Sequence, residues 1–96
     1  MALNSKQRAF LRGKAQHIDT IFQIGKSGVT EETAEAIKNA LLARELVKGR
    51  VLDTCPQTSR DAANMLCEMI GCESVQIIGS KFVLFLKKDK DSQYDI

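Results

Sequence analysis

The residues best placed to do chemistry are Gly25-Lys26-Ser27-Gly28. Two glycines at that spacing allow a tight turn and the close approach of another backbone. Lys26 adds a mobile cation, and Ser27 adds a hydroxyl donor. The apolar run Ile18–Ile24 precedes them, and a helical pattern opens at Thr30. A helix beginning after such a turn directs unpaired N–H groups at whatever sits there. Phosphate groups of a nucleic-acid backbone suit that arrangement. A nucleoside triphosphate site does not: G-x-x-x-x-G-K-S needs glycine at position 20, where Thr20 stands. Glu31 and Glu32 place negative charge nearby, and they read as partners of the helix dipole. The plain alternative for the four residues is an ordinary turn.

Two further sets of cations could meet phosphates. Arg8 and Arg12 lie one helical turn apart, with Lys6 at their flank. Lys48 and Arg50 alternate with Val47 and Val51, which puts both cations on one strand face. Solvated charge, or long stems covering a sheet edge, is the alternative for each. Aromatic stacking platforms are scarce. Phe10, Phe22, Phe82 and Phe85 read as core, and Tyr94 lies near the end of the chain. Contact with phosphates and duplex shape is therefore expected over reading of unstacked bases.

Catalysis finds little support. His17 is the only histidine and has no cysteine or serine at a known motif spacing. Asp61, Glu68 and Glu73 read as a solvated face. Three cysteines, Cys55, Cys67 and Cys72, make an odd count, and Cys67-x4-Cys72 is not a zinc spacing. No catalytic residue, metal, cofactor or small-molecule substrate is expected.

Seven elements must position these groups. Asn4 or Ser5 caps a helix over about 5–16, with Leu3, Phe10 and Leu11 on its apolar side and Lys14 packing its stem there. Ile18–Ile24 is a buried strand. Thr30 caps a second helix that runs to about Arg44, with Ala34, Ile37, Ala40 and Leu41 as its stripe. Leu46–Leu52 is a second strand. Thr58 or Ser59 caps a third helix with Ala62, Ala63, Leu66, Cys67 and Ile70 inward, and Gly71 ends it. Ser74–Ile78 and Lys81–Lys87 flank Gly79-Ser80, a two-residue hairpin turn, and Phe82–Leu86 is apolar enough to be covered on both faces. The order α-β-α-β-α-β-β gives an α+β domain with a four-stranded mixed sheet, two crossovers and a final hairpin.

Ninety-six residues, 44% hydrophobic and 27% charged, bound the answer to one globular domain. The domain is expected over 3–88, followed by a loose polar tail at 89–96. The net charge of +2 is unevenly placed: residues 1–28 carry five Lys/Arg against one Asp, and 61–79 carry three acids and no Lys or Arg. Basic segments folded onto one side would attract phosphate without extreme overall charge. No membrane span is expected, and the polar start points to an intracellular, cytoplasmic protein. A monomer is the expected state.

Several stretches together resemble the YhbY family, the stand-alone bacterial form of the CRM domain (chloroplast RNA splicing and ribosome maturation). Leu3-Asn4-Ser5-Lys6-Gln7-Arg8-Ala9-Phe10-Leu11-Arg12 resembles its opening, and Ile21-Phe22-Gln23-Ile24-Gly25-Lys26-Ser27-Gly28-Val29-Thr30 its loop motif. Ala40-Leu41-Leu42-Ala43-Arg44-Glu45-Leu46-Val47-Lys48 is similar to its helix-to-strand junction. Val75-Gln76-Ile77-Ile78-Gly79 with Val83-Leu84-Phe85 is similar to its final hairpin. The resemblance implies a fold like the C-terminal domain of translation initiation factor three with an added first helix. It implies RNA binding through Gly25, Lys26, Ser27 and Gly28 and a basic surface including Lys6, Arg8 and Arg12. It also implies association with rRNA in precursors of the large ribosomal subunit. Four positions depart. Gly49 replaces an aliphatic residue and should weaken its strand. Ser80 replaces a basic residue, and Phe85-Leu86 replaces a Tyr-Arg pair, so a hairpin contact would fall to Lys81 or Lys87. The other class of reading is a protein-interaction module whose basic face docks an acidic partner or a ribosomal protein.

Overall fold

A computed structural model describes residues 3–87. Its elements are α1 (Ser5–Ala15), β1 (Thr20–Ile24), α2 (Glu31–Arg44), β2 (Leu46–Val51), α3 (Ser59–Ile70), β3 (Glu73–Ile78) and β4 (Lys81–Phe85). The order matches the expectation, while β1 starts two residues later than its apolar run and β4 ends before Leu86. The expected limit at 88 and the tail at 89–96 fall outside the described residues.

The strands lie in the order β1-β2-β4-β3. β1 and β2 are parallel, and β4 runs antiparallel to both β2 and β3. The hairpin therefore returns β4 into the space between β2 and β3. Gly79 has φ +55 while Ser80 does not enter the positive region, the pattern of a type II′ turn.

Alternation along the central strands divides the core in two. Val47, Phe82 and Leu84 pack with Ala34, Ile37, Leu41, Ala62, Ala63 and Leu66 on the α2–α3 face. Leu46, Val83 and Phe85 pack with Leu3, Leu11 and Ala15 on the α1 face. β4 is thus covered on both sides, as its unbroken apolar run predicts.

Local sequence explains the helix ends. Asn4 forms a capping box: its side chain accepts from the Gln7 N–H at 2.8 Å, and the Gln7 side chain accepts from the Asn4 N–H at 3.0 Å. Thr30 accepts from the Thr33 N–H, and Thr58 from the Asp61 N–H, each at 3.1 Å. Gly71, at φ +83, ends α3 by donating its N–H to the Cys67 carbonyl at 2.8 Å. That cap brings the Cys72 thiol to the Cys67 sulfur at 3.7 Å. All three cysteines are free.

Four details differ from the sequence reading. β1, read as a buried strand, lies at the edge of the sheet with Ile21 40% exposed, and only Ile24 is fully covered. Phe10 is 42% exposed and does not join the apolar side of α1, because Leu11 and Ala15 set the buried stripe one position further round. Lys14 is exposed, its ammonium 5.4 Å from the centre of the Phe10 ring, so its stem does not pack in the core. Gly49 is covered: a Cβ there would stand 2.6 Å from Cζ of Phe82, its cross-strand partner. The Phe82 ring fills the space a side chain at 49 would take, which compensates the strand for its glycine. Glu45, fully buried at φ +67, joins α2 to β2, and its carbonyl accepts from the Leu86 N–H at 2.8 Å.

Candidate nucleic-acid interface

Gly25–Gly28 forms a closed turn at the C-terminal end of β1. The Gly28 N–H donates to the Gly25 carbonyl at 2.9 Å, which leaves Lys26 and Ser27 as the exposed corners. Their backbone N–H groups make no hydrogen bond among the described residues. Three other donors near the turn are already used. Gly28 closes the turn, Val29 donates to Oε1 of Gln57 at 3.1 Å, and Thr33 donates to the cap of α2. At the tip itself a ligand meets two N–H groups, one ammonium and one hydroxyl. Glu31 and Glu32 are exposed in the first turn of α2.

The two glycines have different reasons to be glycine. Gly28 sits at φ +68, and a Cβ there would meet Gln57 Oε1 at 2.4 Å and Pro56 Cγ at 2.9 Å. Gly25 has no positive φ, and its Cβ would make only ordinary contacts with Leu52 at 3.8 Å and Thr54 at 4.0 Å. Substituting both glycines by Asp would therefore alter the fold locally at 28 as well as the surface at 25.

Gln57 is a positioning residue that the sequence reading missed. It reaches from the loop before α3 to hold Val29 and to cover Gly28. A glutamine beside the only proline carries no local signal of that role. The same loop is fixed at its far end, where the Ser59 hydroxyl donates to the Gly79 carbonyl at 2.6 Å. The glycine turn, the loop before α3 and the hairpin turn are thus tied together at one end of the sheet.

That end also carries the strand cations. Lys48 and Arg50 alternate with Leu46 and so lie on the α1 face. Strand register sets Arg50 beside Gln23 on one side and Lys81 on the other, and Lys81 beside Ile78. One residue from each strand forms this row. The helix above the face ends at Ala15, so the row is uncovered: Lys81 is exposed and Ile78 is 61% exposed. Arg50 Nε is buried without a hydrogen-bond partner.

The cations of α1 are less uniform. Lys6 and Arg12 are exposed, whereas Arg8 is half-buried with its Nε enclosed and unpartnered. All three stand on the helix that covers the α1 face, with α2, which the glycine turn leads into, on the opposite face. Ala15, near the C-terminal end of α1, meets Lys48 and Lys81 at the edge of a groove. The structure therefore gathers Gly25–Gly28, Arg50 and Lys81 at one end, with Lys48 next along the face, and sets Lys6 and Arg8 in the earlier turns of α1.

Comparison with known proteins places the chain in a family. The chain is 39% identical over 94 residues to probable RNA-binding protein YqeI of Bacillus subtilis, covering 98% of each. It is 34% identical over 83 residues to an RNA-binding protein of Haemophilus influenzae, covering 86% of this chain and 84% of that one. A solution structure of a hypothetical protein from Staphylococcus aureus, to which RNA binding has been ascribed, superposes with a TM-score of 0.83 at 36% identity, covering 99% of both chains. The CRS1 / YhbY (CRM) domain model matches residues 3–85. The chain therefore belongs to the CRS1/YhbY (CRM) domain family.

Proposed function

We propose that this chain is a non-catalytic RNA-binding protein that grips the RNA backbone through Gly25, Lys26, Ser27 and Gly28. Lys48 and Arg50 extend the grip over the sheet, and Lys6, Arg8 and Arg12 supply further electrostatic attraction. The target is rRNA in precursors of the large ribosomal subunit, met in the cytoplasm by a monomer, and the role is that of an assembly factor. The observation that carries the reading is the closed turn itself. Its two exposed corners hold N–H groups with no internal partner, beside an ammonium and a hydroxyl. Backbone N–H groups and lysines are the donors that phosphate oxygens recruit. RNA binding by similar proteins of the same family supports it.

The test is a titration of a folded large-subunit rRNA fragment across a salt series. The variant is Gly25→Asp with Lys26→Glu, which the backbone at both positions accommodates without strain. Affinity should fall steeply with salt, because each phosphate neutralised by a cation releases counterions. The variant should lose roughly tenfold or more in affinity while keeping its unfolding midpoint. Equal affinity in a folded variant would remove the turn from the interface.

A second reading keeps one observation in its favour. Phe22, Phe82 and Phe85 are committed to the cores, which leaves Phe10 as the one large exposed aromatic among the described residues. A basic face with so little stacking surface would also suit an acidic protein partner. Association with ribosomal particles that survives complete RNase digestion would favour that reading.

A further inference from the structure

We infer that the uncovered end of the α1 face is a pocket for one unstacked nucleotide of a single-stranded RNA segment. The inference rests on the RNA-binding reading above and adds base recognition to backbone contact. A groove of about 250 Å³ opens where α1 ends. Ala15, Val83 and Ile78 give it an apolar floor, Gln16 and Gln76 bring two amides, and Lys48 and Lys81 bring two cations. The volume lies just under the ~300 Å³ at which pockets for drug-sized ligands begin, so it takes one nucleotide and not a stacked pair.

The lining, and Arg50 in the strand row beside it, match the parts of a nucleotide. Arg50 and Lys81 are direct cross-strand partners on one face. Like charges so placed repel, and an anion between them removes the cost. The Arg50 Nε is enclosed, so contact with an anion falls to the rest of its guanidinium. Phosphate is the group that satisfies both cations. A glutamine amide presents a donor and an acceptor side by side, the complement of the N7 and N6 edge of adenine. The floor is aliphatic, so the base is held by its edge and by burial, not by aromatic stacking. A base seated there must be unpaired, because the N7 and N6 edge of a paired adenine lies in the deep, narrow major groove of A-form RNA, which side chains cannot read. The row of cations continues past the groove through Arg50 toward Gly25, two residues beyond Gln23. That track is longer than a mononucleotide and points to a chain of phosphates.

The test uses the full chain with labelled decameric homopolymers of A, C and U, with AMP, and with the rRNA fragment. The variants are Gln16→Ala with Gln76→Ala, and Lys81→Gln; Lys38→Gln, exposed on α2 at the opposite face, is the control. The A decamer should bind roughly tenfold tighter than the U decamer, the size of one good amide–base pairing. The double glutamine variant should erase that preference and keep most of the affinity. Lys81→Gln should weaken all three decamers alike and flatten the salt dependence. Equal affinity for the three decamers overturns the pocket, as does a preference that survives in the double variant. AMP binding as tightly as the A decamer would also overturn it in favour of a mononucleotide site. Binding of the rRNA fragment without any base preference would defeat the pocket alone. No binding of the fragment or of any decamer would defeat the RNA-binding reading with it.

Discussion

The two faces of the sheet are finished differently. On the α2–α3 face two helices cover the strands, and an apolar cluster runs from Ile24 through Val47 and Phe82 to Leu84. On the other face a single helix stops at Ala15, with Leu46, Val75, Val83 and Phe85 beneath it. Beyond that helix the same strands turn to Gln23, Lys48, Arg50, Gln76 and Lys81. Phe82 and Lys81 are adjacent in sequence and belong to opposite regimes, one fully buried and one exposed. The lesson is that in so small a domain one strand supplies both stability and surface chemistry, and its alternation keeps the two separable.

Substitutions on β4 should break that comparison most sharply. Phe82→Ala should cost about 3–5 kcal/mol, the usual loss for a buried aromatic, and urea unfolding would read it. Lys81→Gln, one residue away, should stay within about 0.5 kcal/mol of the parent in the same experiment. Comparable losses at the two positions would mean that the faces are not independent.

Gly49→Val should cost about 1–3 kcal/mol by driving a side chain into the Phe82 ring. A double-mutant cycle with Phe82→Leu should recover part of that loss, because the smaller side chain vacates the contact. Additive losses would show that the ring does not compensate the glycine.

At the glycine turn the prediction separates two residues of one motif. Gly28→Ala should cost about 1–2 kcal/mol, from a left-handed backbone, and it also forces a side chain against Gln57. Gly25→Ala should leave stability within about 0.5 kcal/mol. The smallest of the expected losses is at the buttress. Gln57→Ala leaves the Val29 N–H without its acceptor and should cost about 1 kcal/mol. Hydrogen exchange at Val29 should speed up in that variant while exchange in the β4 core stays as slow as before.

Much of this was readable in the residues. The element order, the caps at Thr30 and Thr58, and the Gly79-Ser80 turn depend on neighbours a few positions apart, which local chemistry reports. The two-sided burial of β4 was visible because Phe82–Leu86 has no polar alternation. What stayed hidden depends on distant partners. Gly49 looked like a weak point because the ring that covers it belongs to another strand. Phe10 and Leu11 are neighbours on a helix, and only the sheet beneath chose between them. The turn was visible as a candidate, but the loss of its Gly28 and Val29 donors to internal bonds was not. Lys81 was marked only as a substitute for a missing hairpin contact, since its alignment with Arg50 is a matter of register.

Chemical-shift mapping of the backbone amides on titration with the large-subunit rRNA fragment tests the central claim most directly. The largest changes should fall at Gly25–Gly28, Lys48, Arg50, Gln76 and Lys81, with Lys38 and Leu42 on the exposed side of α2 unmoved. Changes centred on α2 and α3, with the glycine turn and the uncovered sheet silent, would contradict it.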